Sequence, residues 1–246
     1  MISEAAATAV ALPRRGLLLW VFPAFVVVWG NVASLLFAPT AALPGGSPEY
    51  AAAGLALVLI SLAVARALGL DAKALGLRGG HLRGAATGAA LGAAVALAGV
   101  AALRLVAPLL VGQPVGYAPL ASVDAAALAR HVAILLPLGV VIPEEIAFRG
   151  VLVGALSRSV ERRATIAIAA VAFALWHAWI VVATIGETTL AATVWTAVGI
   201  VGALAAVGIG GAIFAWLRLR TGTLATTIAA HWAFNIVVLV GLWATR

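Results

Sequence analysis

Seven apolar stretches, each long enough to cross a lipid bilayer, cover most of this chain of 246 residues. A transmembrane helix needs about 20 residues. Only 9% of the residues are charged and 65% are hydrophobic, whereas a soluble domain contains about 25% charged residues. The sequence therefore predicts an all-α, polytopic membrane protein of about seven to eight helices, in a single domain covering residues 1–246. The predicted spans are residues 17–37, 51–70, 84–111, 125–157, 164–185, 189–217 and 223–243.

Basic residues are distributed unevenly over the short connectors between these spans. Eleven of the 15 Lys and Arg residues precede the first span or lie at alternate connectors, and the opposite connectors hold almost none. Cytoplasmic loops are the ones enriched in Lys and Arg, so we expect a multi-pass protein of the cell membrane with a cytoplasmic N-terminus. Because the net charge of +7 follows this topology signal, we do not expect nucleic acid as a partner. The eleven residues are Arg14, Arg15, Arg66, Lys73, Arg78, Arg83, Arg158, Arg162, Arg163, Arg218 and Arg220.

Two spans have features that predict how they pack. The span at residues 125–157 would form a helix of about 50 Å, too long for one straight crossing, so Pro137 and Pro143 are expected to break or tilt it. The third span contains the run GAATGAALGAAVALAG, in which small residues permit close contact between helices in lipid.

Two adjacent glutamates lie well inside the fourth span, in the segment VIPEEIAFRGVL. A charged side chain at the middle of a bilayer costs at least ~2.5–3.5 kcal/mol, so such residues are predicted to face a cavity or a partner. Glu145 and Arg149 are four residues apart on one helical face and are predicted to pair. Glu144 lies about 100° further around the helix and remains available for chemistry.

Three further polar residues lie at a similar predicted depth on two other helices. Glu144 and His177 lie ~21 Å from the predicted cytoplasmic ends of their spans, and His231 lies ~17 Å from its own, with Asn235 one turn deeper. We therefore predict one central polar cavity shared by these four side chains.

The sequence predicts at most a supporting role for the other aromatic residues and histidines near these positions. Trp176 and Trp232, each next to one of these histidines, are candidates for the cavity wall. His131 and His81 lie at span edges or in loops and are assigned no role.

This set of residues suits hydrolysis of a peptide bond inside the membrane. A carboxylate beside a histidine can act as a general base on water, and two further hydrogen-bond donors can stabilise the oxyanion formed at the attacked carbonyl. The chain lacks the residues that other protease mechanisms require. The chain has no cysteine and no HExxH helix, and Asp71 and Asp124 lie in connectors rather than as a membrane pair.

The segments EEIAFRG, FALWH and HWAFN resemble the three motifs of the CAAX-protease and bacteriocin-processing family, also called Abi, which includes the CAAX prenyl endopeptidases. The resemblance covers about residues 137–239, within a motif-bearing core at about 125–243. It implies that one Glu and one His activate water, that a second His and an Asn bind the oxyanion, and that no metal or other cofactor is needed. The implied catalytic residues are Glu144, His177, His231 and Asn235, and the implied supporting residues are Glu145, Arg149 and Phe173.

The alternatives left open by the sequence concern mechanism and function. Glu144, His177 and His231 could bind zinc in a metal-dependent version of the same protease. The polar set could also form a proton relay in a transporter, although we find no repeated halves, or belong to a non-catalytic membrane immunity or binding protein. The expected partners are the lipid bilayer and a membrane-associated or C-terminally anchored peptide or protein. A prenylated CAAX end, a bacteriocin leader and a C-terminal sorting helix all remain possible substrates.

Overall fold

The computed structural model of the protein describes residues 2–37, 43, 45–79 and 81–246. Within these residues there is no regular strand, only an isolated bridge between Tyr117 and Thr188. Six helices in this part of the chain are long and apolar enough to cross a membrane, and a bent helix pair makes a seventh if it is counted as one span. The predicted all-α membrane bundle is therefore confirmed. The spans are Gly16–Phe37, Pro48–Ala67, Leu82–Val111, Ala125–Leu156, the pair Arg162–Trp176 and Ala178–Gly186, Thr196–Thr221 and Leu224–Ala244.

The helices themselves extend slightly beyond some of these limits, and local sequence explains several of their ends. The second span starts with Ser47, whose hydroxyl accepts a hydrogen bond from the Tyr50 N–H at 3.1 Å, followed by proline at the first helical position. Asp124 caps the fourth span in the same way. Outside the fourth span, the helices are Ile2–Phe37, Pro48–Ala67, His81–Leu105, Ala107–Val111, Arg162–Trp176, Ala178–Gly186, Thr196–Thr221 and Leu224–Ala244, with a 3-10 turn at Ala118–Ser122.

The fourth span is continuous, and the predicted break at its prolines is not found. Instead the winding of the helix changes, with two stretches in which the backbone takes the wider π form. Pro137 lies inside the first of these stretches, where the wider winding accommodates a residue that has no N–H to donate. In order, the span consists of α-helix Ala125–Arg130, π-helix His131–Val141, α-helix Ile142–Glu144, π-helix Glu145–Leu152 and α-helix Val153–Leu156.

The fifth span was predicted as one helix over residues 164–185, but it is bent by 44° between Trp176 and Ala178. A bend leaves backbone groups without helical partners, which is costly in a membrane. Asn31 from the first span supplies those partners. Its Nδ2 donates to the carbonyl of Leu175 and its Oδ1 accepts from the N–H of Trp179, both at 2.8 Å.

The sixth span begins at Thr196, seven residues later than the predicted 189–217. Threonine side chains in the preceding segment hydrogen bond to nearby backbone carbonyls and so compete with helix formation. Thr193 and Thr196 both donate to the carbonyl of Leu190, at 2.7 and 2.8 Å. The apolar character of the segment was therefore correctly identified, but its backbone forms turns.

The third and seventh spans touch backbone to backbone, as the small-residue run predicts. A Cβ added at Gly88 would overlap the carbonyl oxygen of Thr226, and one added at Gly92 would overlap that of Ala230. The contact at Ala230, one residue before His231, fixes the position of the seventh span beside the third.

The main buried core surrounds the fourth span. Phe148, Leu152 and Leu156 are at most 1% exposed and pack against Phe22 and Val26 of the first span, with further residues from the second and fifth spans. This packing holds the helix that presents both glutamates at the centre of the bundle.

Candidate active site

The structure brings the predicted motif residues of three helices together around the Glu144 carboxylate. Its Oε2 lies 3.8 Å from Nε2 of His177 and 4.0 Å from Nε2 of His231. Glu144 is only 2% exposed and His231 is 5% exposed. Both distances exceed a hydrogen bond, so the three groups face one another without direct bonding.

The orientation of the Glu144 carboxylate is set by its other oxygen. The indole Nε1 of Trp176 donates a hydrogen bond to Oε1 at 3.2 Å, which leaves Oε2 directed at the two imidazoles. Gly30 on the first span makes room for this indole, because a Cβ there would overlap the Trp176 ring. Trp176 was considered in the sequence only as part of a cavity wall, and its hydrogen bond to Glu144 was not foreseen.

His177 lies at the bend of the fifth span, and its ring is held by its own helix. Nδ1 is 2.8 Å from the carbonyl oxygen of Phe173. A carbonyl can only accept, so Nδ1 must bear the proton of this bond, and in the neutral ring Nε2 is an acceptor. That acceptor faces Glu144, and the Phe173 ring packs edge-on to the imidazole at 4.5 Å.

Glu145 contacts His231 in addition to Arg149, the partner that the sequence predicted. Its Oε1 lies 3.1 Å from Nη1 of Arg149, which is the predicted i,i+4 ion pair, and 3.0 Å from Nδ1 of His231. Glu145 is fully buried. The carboxylate therefore also orients the His231 ring, so that its Nε2 is turned towards Glu144.

Three aromatic rings surround the guanidinium of Arg149. The distances from its Cζ to the ring centroids are 4.1 Å for Phe173, 5.0 Å for Phe214 and 5.8 Å for Phe148. Such rings stabilise a cation that has little access to water. Phe214 was not singled out in the sequence, because it lies on a different span and outside the three motifs.

A cavity of about 190 Å³ opens beside Glu144. His177 and Asn235 belong to its wall, whereas His231 is not among the lining residues and approaches the cavity only through its Nε2, 4.0 Å from Glu144 Oε2. Apolar side chains complete most of the surface. The residues that line it include Tyr50, Leu136, Val140, Trp176, Ile180, Val238 and Leu239.

One expectation for residues near the motifs was wrong, and another stays a prediction. His131, which was assigned no role, is 2% exposed and lines the same cavity as Glu144, which does not test that assignment. Trp232, a candidate for the cavity wall, is 37% exposed, and its Nε1 instead donates to the carbonyl of Val132 at 2.8 Å. The side chain of His81 lies outside the described residues.

A family model described as Rce1-like, type II CAAX prenyl endopeptidase, matches residues 127–237. This segment of the chain is similar to the Rce1-like family. The match contains all three motifs and confirms the resemblance seen in the sequence. No curated protein and no solved structure matches the chain.

The similarity to the Rce1-like family supports a protease of the CAAX type, and the apolar helices support a multi-pass membrane protein. The motif residues around Glu144 all lie within the matched segment. Tyr50, which lines the cavity, lies outside it, as do Gly30 and Asn31 of the first span, which support Trp176 and the bend at His177.

The spacing of the polar atoms in the Rce1-like site is wider than a zinc site requires. Two bonds of about 2.1 Å at a tetrahedral angle place their ligand atoms about 3.4 Å apart. Glu144 Oε2 lies 3.8 and 4.0 Å from the two imidazole nitrogens. Within the described residues no group of three or more His, Asp or Glu is arranged to hold a metal ion.

Proposed function

We propose that this Rce1-like protein is an intramembrane endopeptidase in which Glu144 and His177 activate a water molecule, while His231 and Asn235 stabilise the oxyanion. Its substrate is a membrane-associated or C-terminally anchored peptide or protein. The main support is the geometry of Glu144, whose Oε1 is held by Trp176 while Oε2 faces both imidazoles.

Water activation follows from the two acceptors that face each other. With Nδ1 of His177 donating to Phe173, the neutral imidazole has its lone pair on Nε2, and Glu144 Oε2 is also an acceptor. Two acceptors 3.8 Å apart cannot bond to each other, but both can accept from a single water. Glu144 takes one proton of that water as its oxygen attacks the peptide carbonyl.

The tetrahedral intermediate needs donors for its oxyanion, and the seventh span offers two. Asn235 lines the cavity and has an amide with two N–H groups. His231 donates its Nδ1 proton to the Glu145 carboxylate, and it becomes the second donor when its Nε2, which faces Glu144, also carries a proton. When the C–N bond breaks, the proton held by Glu144 passes to the leaving amine.

The surroundings of this site favour substrates that enter from the bilayer. The catalytic groups lie ~20 Å along the helices from their predicted cytoplasmic ends, and most of the cavity wall is apolar. The family description names CAAX prenyl endopeptidases, so a prenylated CAAX end is the first substrate to test.

The direct test is cleavage of a farnesylated CAAX peptide by the purified full-length protein in lipid nanodiscs, followed by mass spectrometry. Wild-type protein should cleave the peptide, and Glu144→Gln, which keeps the side-chain volume but removes the basic oxygen, should be inactive while remaining folded. Glu187→Gln, at an exposed connector position, serves as the matched control and should cleave like wild type. Cleavage by Glu144→Gln at the wild-type rate would contradict the proposal.

The zinc-dependent alternative is tested in the same assay. Activity should survive prolonged incubation with EDTA and o-phenanthroline, because the proposed steps use only side chains. Stoichiometric zinc in the purified protein, together with activity lost on chelation and restored by zinc, would instead establish the metal mechanism.

A further inference from the structure

His131 is a buried histidine without a hydrogen-bond partner. It is 2% exposed, and neither Nδ1 nor Nε2 bonds to any group among the described residues. A buried polar group without a partner costs roughly 1–3 kcal/mol, so a molecule that hydrogen bonds to it recovers that cost. His131 also lines the cavity that contains Glu144, so a molecule in that cavity can reach it.

His131 and Glu144 mark two separated polar ends of this cavity. They are 13 residues apart on the same span, at most about 20 Å along the helix axis. Between them the wall is formed mainly by apolar side chains, including Leu136, Val140 and Val238. An extended peptide advances about 3.3 Å per residue, so the two ends are separated by at most the length of about six extended residues.

The wall at the His131 end is backed by packed side chains. Leu239 lines the cavity and also packs against a second buried cluster that includes Leu128, one turn before His131, and Val123. This arrangement suits the end of a peptide better than a chain that continues. Glu144 is the one acidic residue in the described lining, so no carboxylate at the His131 end is available for an ammonium group.

We infer that His131 is a specificity-determining residue that binds the free carboxyl terminus of the substrate, a few residues beyond the bond cleaved at Glu144. The imidazole donates a hydrogen bond to the terminal carboxylate, and the intervening residues lie against the apolar wall. This inference rests on the proposed function for the identity of the substrate, but it concerns binding and can be tested without turnover.

The test measures binding of a fluorescent farnesylated CAAX peptide, with a free C-terminal carboxylate or a C-terminal amide, to Glu144→Gln protein in nanodiscs. The free acid should bind about tenfold more tightly than the amide, which is the effect of one hydrogen bond to a charged group. Adding His131→Leu should weaken the acid about tenfold and leave the amide unchanged. Trp232→Phe is the matched control, because it removes a bond to the neighbouring Val132 without touching the cavity, and it should keep the preference.

The outcomes separate this inference from the proposed function. Equal binding of acid and amide, an acid preference that survives His131→Leu, or no binding of either peptide would overturn the role of His131. Failure of wild-type protein to cleave a peptide that still binds with the acid preference would contradict the hydrolytic function alone. A melting temperature of His131→Leu close to that of its parent shows that the loss is not due to unfolding.

Discussion

Glu144 and Glu145 are adjacent residues in very different surroundings. Glu144 receives one hydrogen bond from Trp176 and faces a cavity, whereas Glu145 contacts both Arg149 and His231 in a fully buried position. The spacing of Glu145 and Arg149 allowed their pairing to be predicted from the sequence. The second contact of Glu145 was not predictable, because His231 is 86 residues away and only tertiary packing brings it there.

Removal of Arg149 should mainly destabilise the protein. Loss of one partner from a buried ion pair leaves an uncompensated charge and typically costs ~3–5 kcal/mol. Arg149→Ala should therefore lower the yield of folded protein and the melting temperature in detergent. Arg220→Ala, at an exposed position on the sixth span, is the control and should have little effect. Equal melting temperatures for the two variants would contradict a stabilising role for the buried pair.

Substitution of Glu144 and of Glu145 should have different effects on stability and on the cleavage rate. Glu145→Gln weakens the contacts to both Arg149 and His231, so we expect a lower melting temperature together with reduced cleavage. Glu144→Gln should lose cleavage with a melting temperature near that of wild type. A stable, inactive Glu145→Gln beside an active Glu144→Gln would show that the two roles are reversed.

Trp176 should affect the rate without affecting substrate binding. Trp176→Phe removes the hydrogen bond that orients Glu144, and we expect kcat to fall about tenfold with little change in KM. The control is Trp232→Phe, which also removes an indole hydrogen bond but one outside the cavity. A Trp176→Phe enzyme with unchanged kcat would show that Glu144 needs no such orientation.

At the scale of whole helices, apolar length predicted where the spans lie but not how they are wound or bent. The bend at His177 depends on Asn31, which is 144 residues away from the carbonyl it satisfies. The late start of the sixth span depends on local threonine hydrogen bonds, which a count of apolar residues ignores. A close contact of the third span with another helix was predictable, because small residues let helices approach closely in lipid, but its partner, the seventh span, was not.

That contact gives a prediction for the third span. Gly92→Ala places a methyl group against the carbonyl of Ala230, next to His231, and overpacking of this kind typically costs about 1–3 kcal/mol. We expect a lower melting temperature and a lower kcat. Gly99→Ala on the same helix meets nothing within 4 Å and should behave like wild type. If both variants had the same melting temperature, the close approach of the two helices would be disproved.

At the scale of the whole molecule, the sequence was sufficient for the fold class and the family, since both depend on features spread along the chain. The cavity was predicted from matching depths, but its extension to His131 was not. That extension depends on side chains from several spans that line the same cavity, and no single sequence motif contains them all.

The orientation in the membrane can be tested with this chain directly, because it contains no cysteine. Single variants Ser159→Cys and Gln113→Cys place a thiol in connectors on opposite predicted sides. A membrane-impermeant maleimide applied to intact cells should label Gln113→Cys and should label Ser159→Cys only after lysis. Labelling of Ser159→Cys on intact cells would place the N-terminus outside.

The π winding of residues His131–Val141 has a consequence for how proteins of this kind can diverge. Each π turn contains one residue more than an α turn, so loss of a single residue can be absorbed by a return to α-helix. Such a deletion would change the winding locally while His131 and Glu144 stay on the same side of the span, with every catalytic side chain in place. This stretch can therefore tolerate loss of one residue without displacing the side chains that face the cavity.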